Sequence, residues 1–207
     1  MPRPVLITAG ATRNPIDSMR SITANSSGKT GVYLSQKIEA KGRRCTLFGS
    51  NLALLQPGCP TGRVEFTSTR DLLAKMKTWT LQHPTGVIIH TAAVGDFEVS
   101  GTNHGKIKSG STLTLELQPT PKIVNHIKVW SAQTRLVSFK AAAPDTSLQE
   151  LEQIAIKQLK HTQSDLVFAN LLGNIEENVM LMSEDGSQWF SKREEGLEAL
   201  LKSVLLW

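Results

Sequence analysis

Residues 24–31 read Ala-Asn-Ser-Ser-Gly-Lys-Thr-Gly, and Gly28-Lys29-Thr30 has the ending of a phosphate-binding P-loop. Such a loop needs another glycine five positions before Gly28, so that successive backbone N–H groups curl round one phosphate while the lysine reaches the next. That position is Thr23, and the upstream apolar strand ends near Ala9, too early to feed the loop. The residues argue against a P-loop but for an anion site. Ser26, Ser27, Gly28 and Lys29 stand where a helix from about Thr30 begins, and helix N-termini favour negative charge. The plainer alternative is that Ser26 or Ser27 simply caps that helix.

Other polar residues stand where strands end. His90-Thr91-Ala92-Ala93-Val94-Gly95-Asp96 closes the most apolar segment with two small residues that leave room for a ligand. Lys106 and Lys108, two apart, share one face of an extended segment; they suit either a solvated edge or a polyphosphate. The turn Gly10-Ala11-Thr12-Arg13-Asn14-Pro15 lacks the G-x-G-x-x-G fingerprint of a dinucleotide site. An NAD(P)-dependent reductase or epimerase is disfavoured accordingly. The only tyrosine, Tyr33, followed by Lys37, falls on the first helix.

The elements that must position these residues alternate. Apolar strand-like runs at 4–9, 44–49, 64–66, 86–92, 135–139 and 165–169 are interleaved with helical patterns at 30–41, 68–82, 121–130, 147–159 and 194–206. Gly42 fits a helix C-cap, Ser68 or Thr69 an N-cap, and residues 179–182 a further strand near 165–169. The pattern predicts one α/β domain over residues 1–207, with a Rossmann-like, mostly parallel sheet flanked by helices and ligands at the C-terminal ends of its strands. Alternation at 113–117 and the turn Ser109-Gly110-Ser111 predict a hairpin extension over 106–117, suited to dimerisation.

Composition narrows the function classes. With 207 residues, 40% hydrophobic and 20% charged, the chain is typical of a globular domain. No apolar run approaches the ~20 residues of a membrane span, and no signal-peptide order opens the sequence, so a cytoplasmic protein is expected. The net charge of +5 is scattered and not interleaved with aromatics, which favours an acidic small molecule over nucleic acid. Cys45 and Cys59 have no metal-ligand spacing, and no metal-binding side chains are expected; Cys45 reads as buried and Cys59 as loop surface.

In order and spacing, LITAGATRNPID with Arg20, ITANSSGKTG, HTAAVGDF, Lys106-Ile107-Lys108, LQPTPKIV, VSFKA, SDLVFAN and Ser191-Lys192 resemble the phosphopantothenate-cysteine ligases over nearly the whole chain. No companion decarboxylase segment is present, so a stand-alone ligase is expected. The resemblance implies a homodimer of coenzyme A biosynthesis that joins 4'-phosphopantothenate to L-cysteine through an acyl nucleotide, using CTP or ATP with Mg2+. It places Gly10, Thr12, Ala92, Asp96, Lys106 and Phe139 at the nucleotide, with Lys106 also among the catalytic residues. Arg20 falls on the acyl-substrate side, and the Ser26-Ser27-Gly28 loop beside it.

Several positions depart from that family. An asparagine that the family uses on the acyl-nucleotide intermediate falls on Ala24, with Asn25 one residue out of register. Two family lysines fall on Gln158 and Thr162, leaving Lys157 and Lys160 nearby as candidate replacements. Ala141-Ala142-Ala143 replaces an acid and a threonine, and Leu171-Leu172 an Asp-Val pair. A catalytically silent nucleotide-binding homologue therefore stands as the alternative.

Overall fold

Residues 4–9 are apolar without alternation because both faces of their strand are covered. In the computed structural model, which describes residues 2–101 and 105–207, β1 (Val5–Ala9) is buried along its whole length. It leads into a small antiparallel pair, β2 (Arg13–Pro15) and β3 (Ser21–Thr23), then α1 (Lys29–Ala40), β4 (Cys45–Gly49), the single turn α2 (Asn51–Leu54) and β5 (Arg63–Glu65). Next come α3 (Thr69–Gln82), β6 (Val87–His90) and an antiparallel arm of β7 (Phe97–Val99) with β8 (Leu117–Pro119). A 3-10 turn at Ile123–Asn125 and α4 (Ile127–Trp130) lead to β9 (Arg135–Ala142). The remaining elements are α5 (Leu148–Thr162), β10 (Leu166–Leu171), β11 (Glu177–Ser183), β12 (Gly186–Lys192) and α6 (Arg193–Leu206).

The main sheet has eight strands in the order β12-β11-β10-β9-β6-β1-β4-β5. From β5 to β10 every pairing is parallel, and β11 and β12 continue antiparallel at one edge. This is the strand order of a doubly wound dinucleotide-type sheet, as the alternating pattern predicts. The order reverses between β1 and β6, the crevice at which such sheets take ligands. Ile7, Val137 and Phe168 pack against α1 and α6 on one face, while Leu6, Ile88 and Leu136 pack against α3 and α4 on the other. A third cluster joins α5 to β10 and β11 through Leu151, Ala155, Val167 and Met180. No helix among the described residues is long and apolar enough to cross a membrane.

Local chemistry sets the helix starts. The Ser68 hydroxyl caps α3 by accepting the Asp71 N–H at 3.2 Å. Ser147 and Glu150 form a reciprocal capping box at α5, which satisfies two N–H groups that a helix start leaves unbonded. Where the sequence predicts a hairpin within 106–117, residues 106–116 form no strand. The arm instead pairs 97–99 with 117–119, and backbone bonds from Ser100 to Glu116 and from Thr120 to Asp96 continue it at each end. Residues 121–130 form a 3-10 turn and one α-turn, not one helix. Cys59, expected at the surface, is half-buried against the core, and burial pushes the Cys45 thiol up to about 12.

One polar hub holds the start of β10. The Asp165 carboxylate accepts from Lys128 Nζ at 2.8 Å, from the Leu136 N–H at 2.8 Å and from Arg135. Burial raises its pKa, but these donors together pull it below the ordinary carboxylate value. Its stabilising contribution is therefore complete above a pH of about 4 and fades as pH falls through the lowered value. We expect Asp165→Ala to cost about 2–4 kcal/mol of unfolding free energy at neutral pH, by urea titration, and less in acid.

Candidate functional site

Beyond the ends of β1 and β6 their two loops are joined. The Ala93 N–H donates to Gly10 O at 2.8 Å and the Thr12 N–H to Ala93 O at 3.1 Å, a parallel bridge that prolongs the sheet past the switch point. Thr12 is wholly buried. Its hydroxyl accepts the Gly95 N–H at 2.8 Å and lies 3.0 Å from the Thr69 hydroxyl, so it ties these loops to α3. On either side of this seam lies a cavity, one of about 840 Å³ and one of about 900 Å³, and no described residue lines both.

The first cavity is lined by Arg13, Arg20, Ala24, Asn25, Ser26 and Ser27, with Ser50 and Asn51 opposite. Gly28 takes a left-handed φ of 79° and is the residue before α1, whose first turn has no side-chain cap. The capping role open to Ser26 or Ser27 is thus not taken up, and the first N–H groups of α1 stay available to an anion. A Cβ on Gly28 would lie 2.4 Å from Ala53 Cβ and 2.9 Å from Gly10 N; one on Gly31 would lie 2.6 Å from Ala9 Cβ. Both glycines are there because backbones meet. Ser50 is 6% exposed, and its hydroxyl, pressed on Gly10, has no hydrogen-bond partner among the described residues. Lys29 is exposed and lines neither cavity.

Arg20 and the Lys106 segment meet through one carboxylate. Asp17 accepts the Met19 and Arg20 N–H groups at 2.8 Å each, pairs with the Arg20 guanidinium at 2.7 Å and accepts the Ile107 N–H at 3.1 Å. Arg20 in turn donates to Ile107 O at 2.6 Å. The Met19 and Ile107 N–H groups, with Arg20, hold the Asp17 carboxyl well below the usual range. Lys106 and Lys108, both exposed, flank the backbone so clamped.

The second cavity gathers His90, Ala92, Asp96, Phe139, Lys157 and Gln158, with Lys122 and His161 also on its walls. Phe139 stacks on Phe168 with ring centroids 4.9 Å apart, giving the cavity an aromatic wall fixed by the core. Asp96 pairs with Lys122 at 2.5 Å, both well exposed, a contact weak enough to yield to a ligand. Gln158 is committed to the protein: its amide donates to the Ser138 hydroxyl at 2.9 Å and to Phe139 O at 3.3 Å. Thr162 bonds Ser164 at 2.6 Å. Lys157 lines the cavity, whereas Lys160 lies on a separate groove with Glu152 and Gln163.

Of the residues singled out from sequence, the two cavities collect Arg20, Ala24, Asn25, Ser26 and Ser27 on one side, and Ala92, Asp96, Phe139 and Lys157 on the other. Gly10, Thr12 and Gly28 form the framework between and beneath them. Ser50, Lys122 and His161 join the cavities without having been singled out, and His90, named only as the start of the polar stretch that closes an apolar strand, joins them with no role assigned. Tyr33 and Lys37 lie on α1 and line neither cavity; the tyrosine hydroxyl is buried with no partner among the described residues.

Residues 2–203 match the family described as the DNA/pantothenate metabolism flavoprotein C-terminal domain. The coenzyme A biosynthesis bifunctional protein CoaBC of Thermococcus kodakarensis is 39% identical over 186 residues, which cover 87% of this chain and 45% of that protein. The chain thus spans about half the length of the curated relatives it matches. The crystal structure of the DNA/pantothenate metabolism flavoprotein from Streptococcus pneumoniae is 29% identical, with a TM-score of 0.86 over 98% of both chains. A Cab2 mutant in complex with phosphopantothenate-cysteine, 19% identical, shares the fold with a TM-score of 0.77 over 99% of this chain and 88% of that one. With the match running almost from end to end, the chain belongs to the DNA/pantothenate metabolism flavoprotein C-terminal domain family.

Proposed function

We propose that the chain is a phosphopantothenate-cysteine ligase of coenzyme A biosynthesis, acting in the cytoplasm. The observation that carries this is the seam at Gly10 and Ala93, which sets an anion-binding cavity and an aromatic-walled cavity side by side at the switch point. In this reading the 4'-phosphopantothenate carboxylate attacks the α-phosphate of CTP or ATP, forming an acyl nucleotide and releasing pyrophosphate. The cysteine amine then attacks the acyl carbon, forming the amide and releasing the nucleoside monophosphate. Each step asks the protein chiefly to bring anions together and offset developing charge.

The residues suit those tasks. Arg20, Ser26 and Ser27 hold phosphate or carboxylate oxygens in the first cavity, with the uncapped start of α1 next along the loop, and the Ser50 hydroxyl, unpartnered among the described residues, is a further donor there. Phe139 walls the base, Asp96 accepts from base or ribose, and Lys157 faces the triphosphate. Lys106, which lines neither cavity and stands beside the Ile107 backbone clamped by Asp17 and Arg20, would reach the triphosphate from there. Asn25 and the backbone at Ala24 border the reacting carboxylate. Among the described residues no three His, Cys, Asp or Glu side chains converge, and Asp96 is the one carboxylate on the second cavity. Mg2+, which in such sites takes most of its ligands from phosphate and water, would offset phosphate charge there, with Asp96 as the carboxylate at hand. Pairing of two chains through the arm, where Phe97, Leu113 and Leu117 are exposed, would give the homodimer.

Incubation with 4'-phosphopantothenate, L-cysteine, Mg2+ and CTP or ATP tests the proposal. Pyrophosphate release that requires 4'-phosphopantothenate is expected. Nucleotide binding without release would instead support a silent homologue, the reading that Ala24 favours.

A further inference from the structure

Parallel pairing sets Thr8 beside His90 and His90 beside Ser138 at one level of the sheet, under the aromatic-walled cavity. His90 is 7% exposed and its Nδ1 lies 2.8 Å from the Thr8 hydroxyl. Thr8 is wholly buried, and its oxygen already accepts the Ala92 N–H at 3.1 Å. The hydroxyl proton therefore needs an acceptor, because a buried donor left unpaired is costly. Nδ1 is the only acceptor paired with it among the described residues. Thr8 accordingly donates to Nδ1, which must be unprotonated, and the ring proton sits on Nε2. Burial also pushes the His90 pKa down to about 4, so the ring is neutral at physiological pH.

The Nε2–H makes no hydrogen bond to a described residue. It is a donor left over on a residue that lines the cavity. The same lining includes Ser138 and Gln158, which are bonded to each other, and Thr162, which is bonded to Ser164. The cations Lys122, Lys140 and Lys157 line the same cavity, and Lys122 is paired with Asp96. A neutral imidazole N–H, in a cavity whose lining also includes hydrogen-bonded neutral side chains, suits the acceptor of a heterocyclic base.

We infer that the Nε2–H of His90 donates a hydrogen bond to an acceptor atom of the nucleobase, and that Thr8 is a positioning residue that fixes the tautomer required. The inference rests on the reading that this cavity takes the nucleotide, and it gives Thr8 and His90, which stand inside two of the motifs that resemble the family, roles the resemblance does not imply. Cytosine and adenine both offer ring-nitrogen acceptors, so both bases fit the same contact.

Long-range 1H–15N spectra of the intact protein, together with calorimetric titration of CTP, ATP and inorganic pyrophosphate, test it. The His90 ring should show an unprotonated Nδ1 and a protonated Nε2. His90→Phe should weaken CTP or ATP about tenfold and leave pyrophosphate unchanged, while His90→Gln, whose amide nitrogen stands near the place of Nε2, should keep most of the affinity. Thr8→Val should weaken the nucleotide and Thr8→Ser restore it. A protonated Nδ1, an unchanged nucleotide affinity in His90→Phe, or an equal loss for pyrophosphate would each overturn the contact. Wild-type protein that binds no nucleotide would overturn the ligase reading and this contact with it; binding that ignores His90 overturns the contact alone.

Discussion

Turnover should rise by about 10²–10³-fold when Ala24 is replaced by asparagine, the gain that one well-placed hydrogen-bond donor to a developing oxyanion typically gives. Ala24 is exposed and lines the cavity that also holds Arg20, Ser26 and Ser27, so an asparagine side chain there meets no packing obstacle. The Ala24 carbonyl accepts from the Thr23 hydroxyl at 3.3 Å, and a side-chain change leaves that contact in place. Because the new amide would act on the reacting centre, kcat should rise while nucleotide affinity stays within about twofold. Pyrophosphate release measured in single and double variants with Asn25→Ala separates two cases. If Asn25 already supplies the donor, Asn25→Ala alone abolishes turnover and Ala24→Asn restores it. No change in turnover from Ala24→Asn in either background would sink the role given to this position.

The second large effect is structural. Gly28→Ala should lower the unfolding free energy by about 3 kcal/mol, or Tm by roughly 6–12 °C for a chain of this size, and should weaken phosphate binding. Two causes add. A φ of 79° is unfavourable for any residue with a Cβ, and the new methyl would stand 2.4 Å from Ala53 Cβ and 2.9 Å from Gly10 N. Gly42→Ala is the control, since Gly42 shares the left-handed conformation, with φ of 72°, but its Cβ would meet nothing within 4 Å. It should cost only the backbone share, about 1–2 kcal/mol. Equal losses in the two variants would show that the close approach of three backbones under the anion site has no energetic weight.

The parallel core was legible in sequence because β1, β4, β6, β9 and β10 are continuous apolar runs, and α1, α3, α5 and α6 carry helical periodicity between them. β2 and β3 were not, being three residues each and held by one another and the arm rather than by a buried face. β12 escaped notice because its residues are largely exposed and its pattern depends on β11 beside it. The anion loop was legible because its residues are consecutive. The floor of the second cavity was not: Thr8, His90 and Ser138 become neighbours only through strand register, and Gln158 and Thr162 reach them from a helix. Lys160 shows the limit of counting along a helix, since three positions after Lys157 it already faces another groove.

The loop bridge at Gly10, Thr12 and Ala93 has a consequence for how such a protein can diverge. It acts as a party wall: the residues on one side can drift toward a different base without disturbing those that hold the acid on the other, because no lining residue is common property. Substitutions such as Gln158 and Thr162 can then accumulate on the base side as a matter of local taste, while a change at Ala24 is felt across the threshold where the two occupants meet.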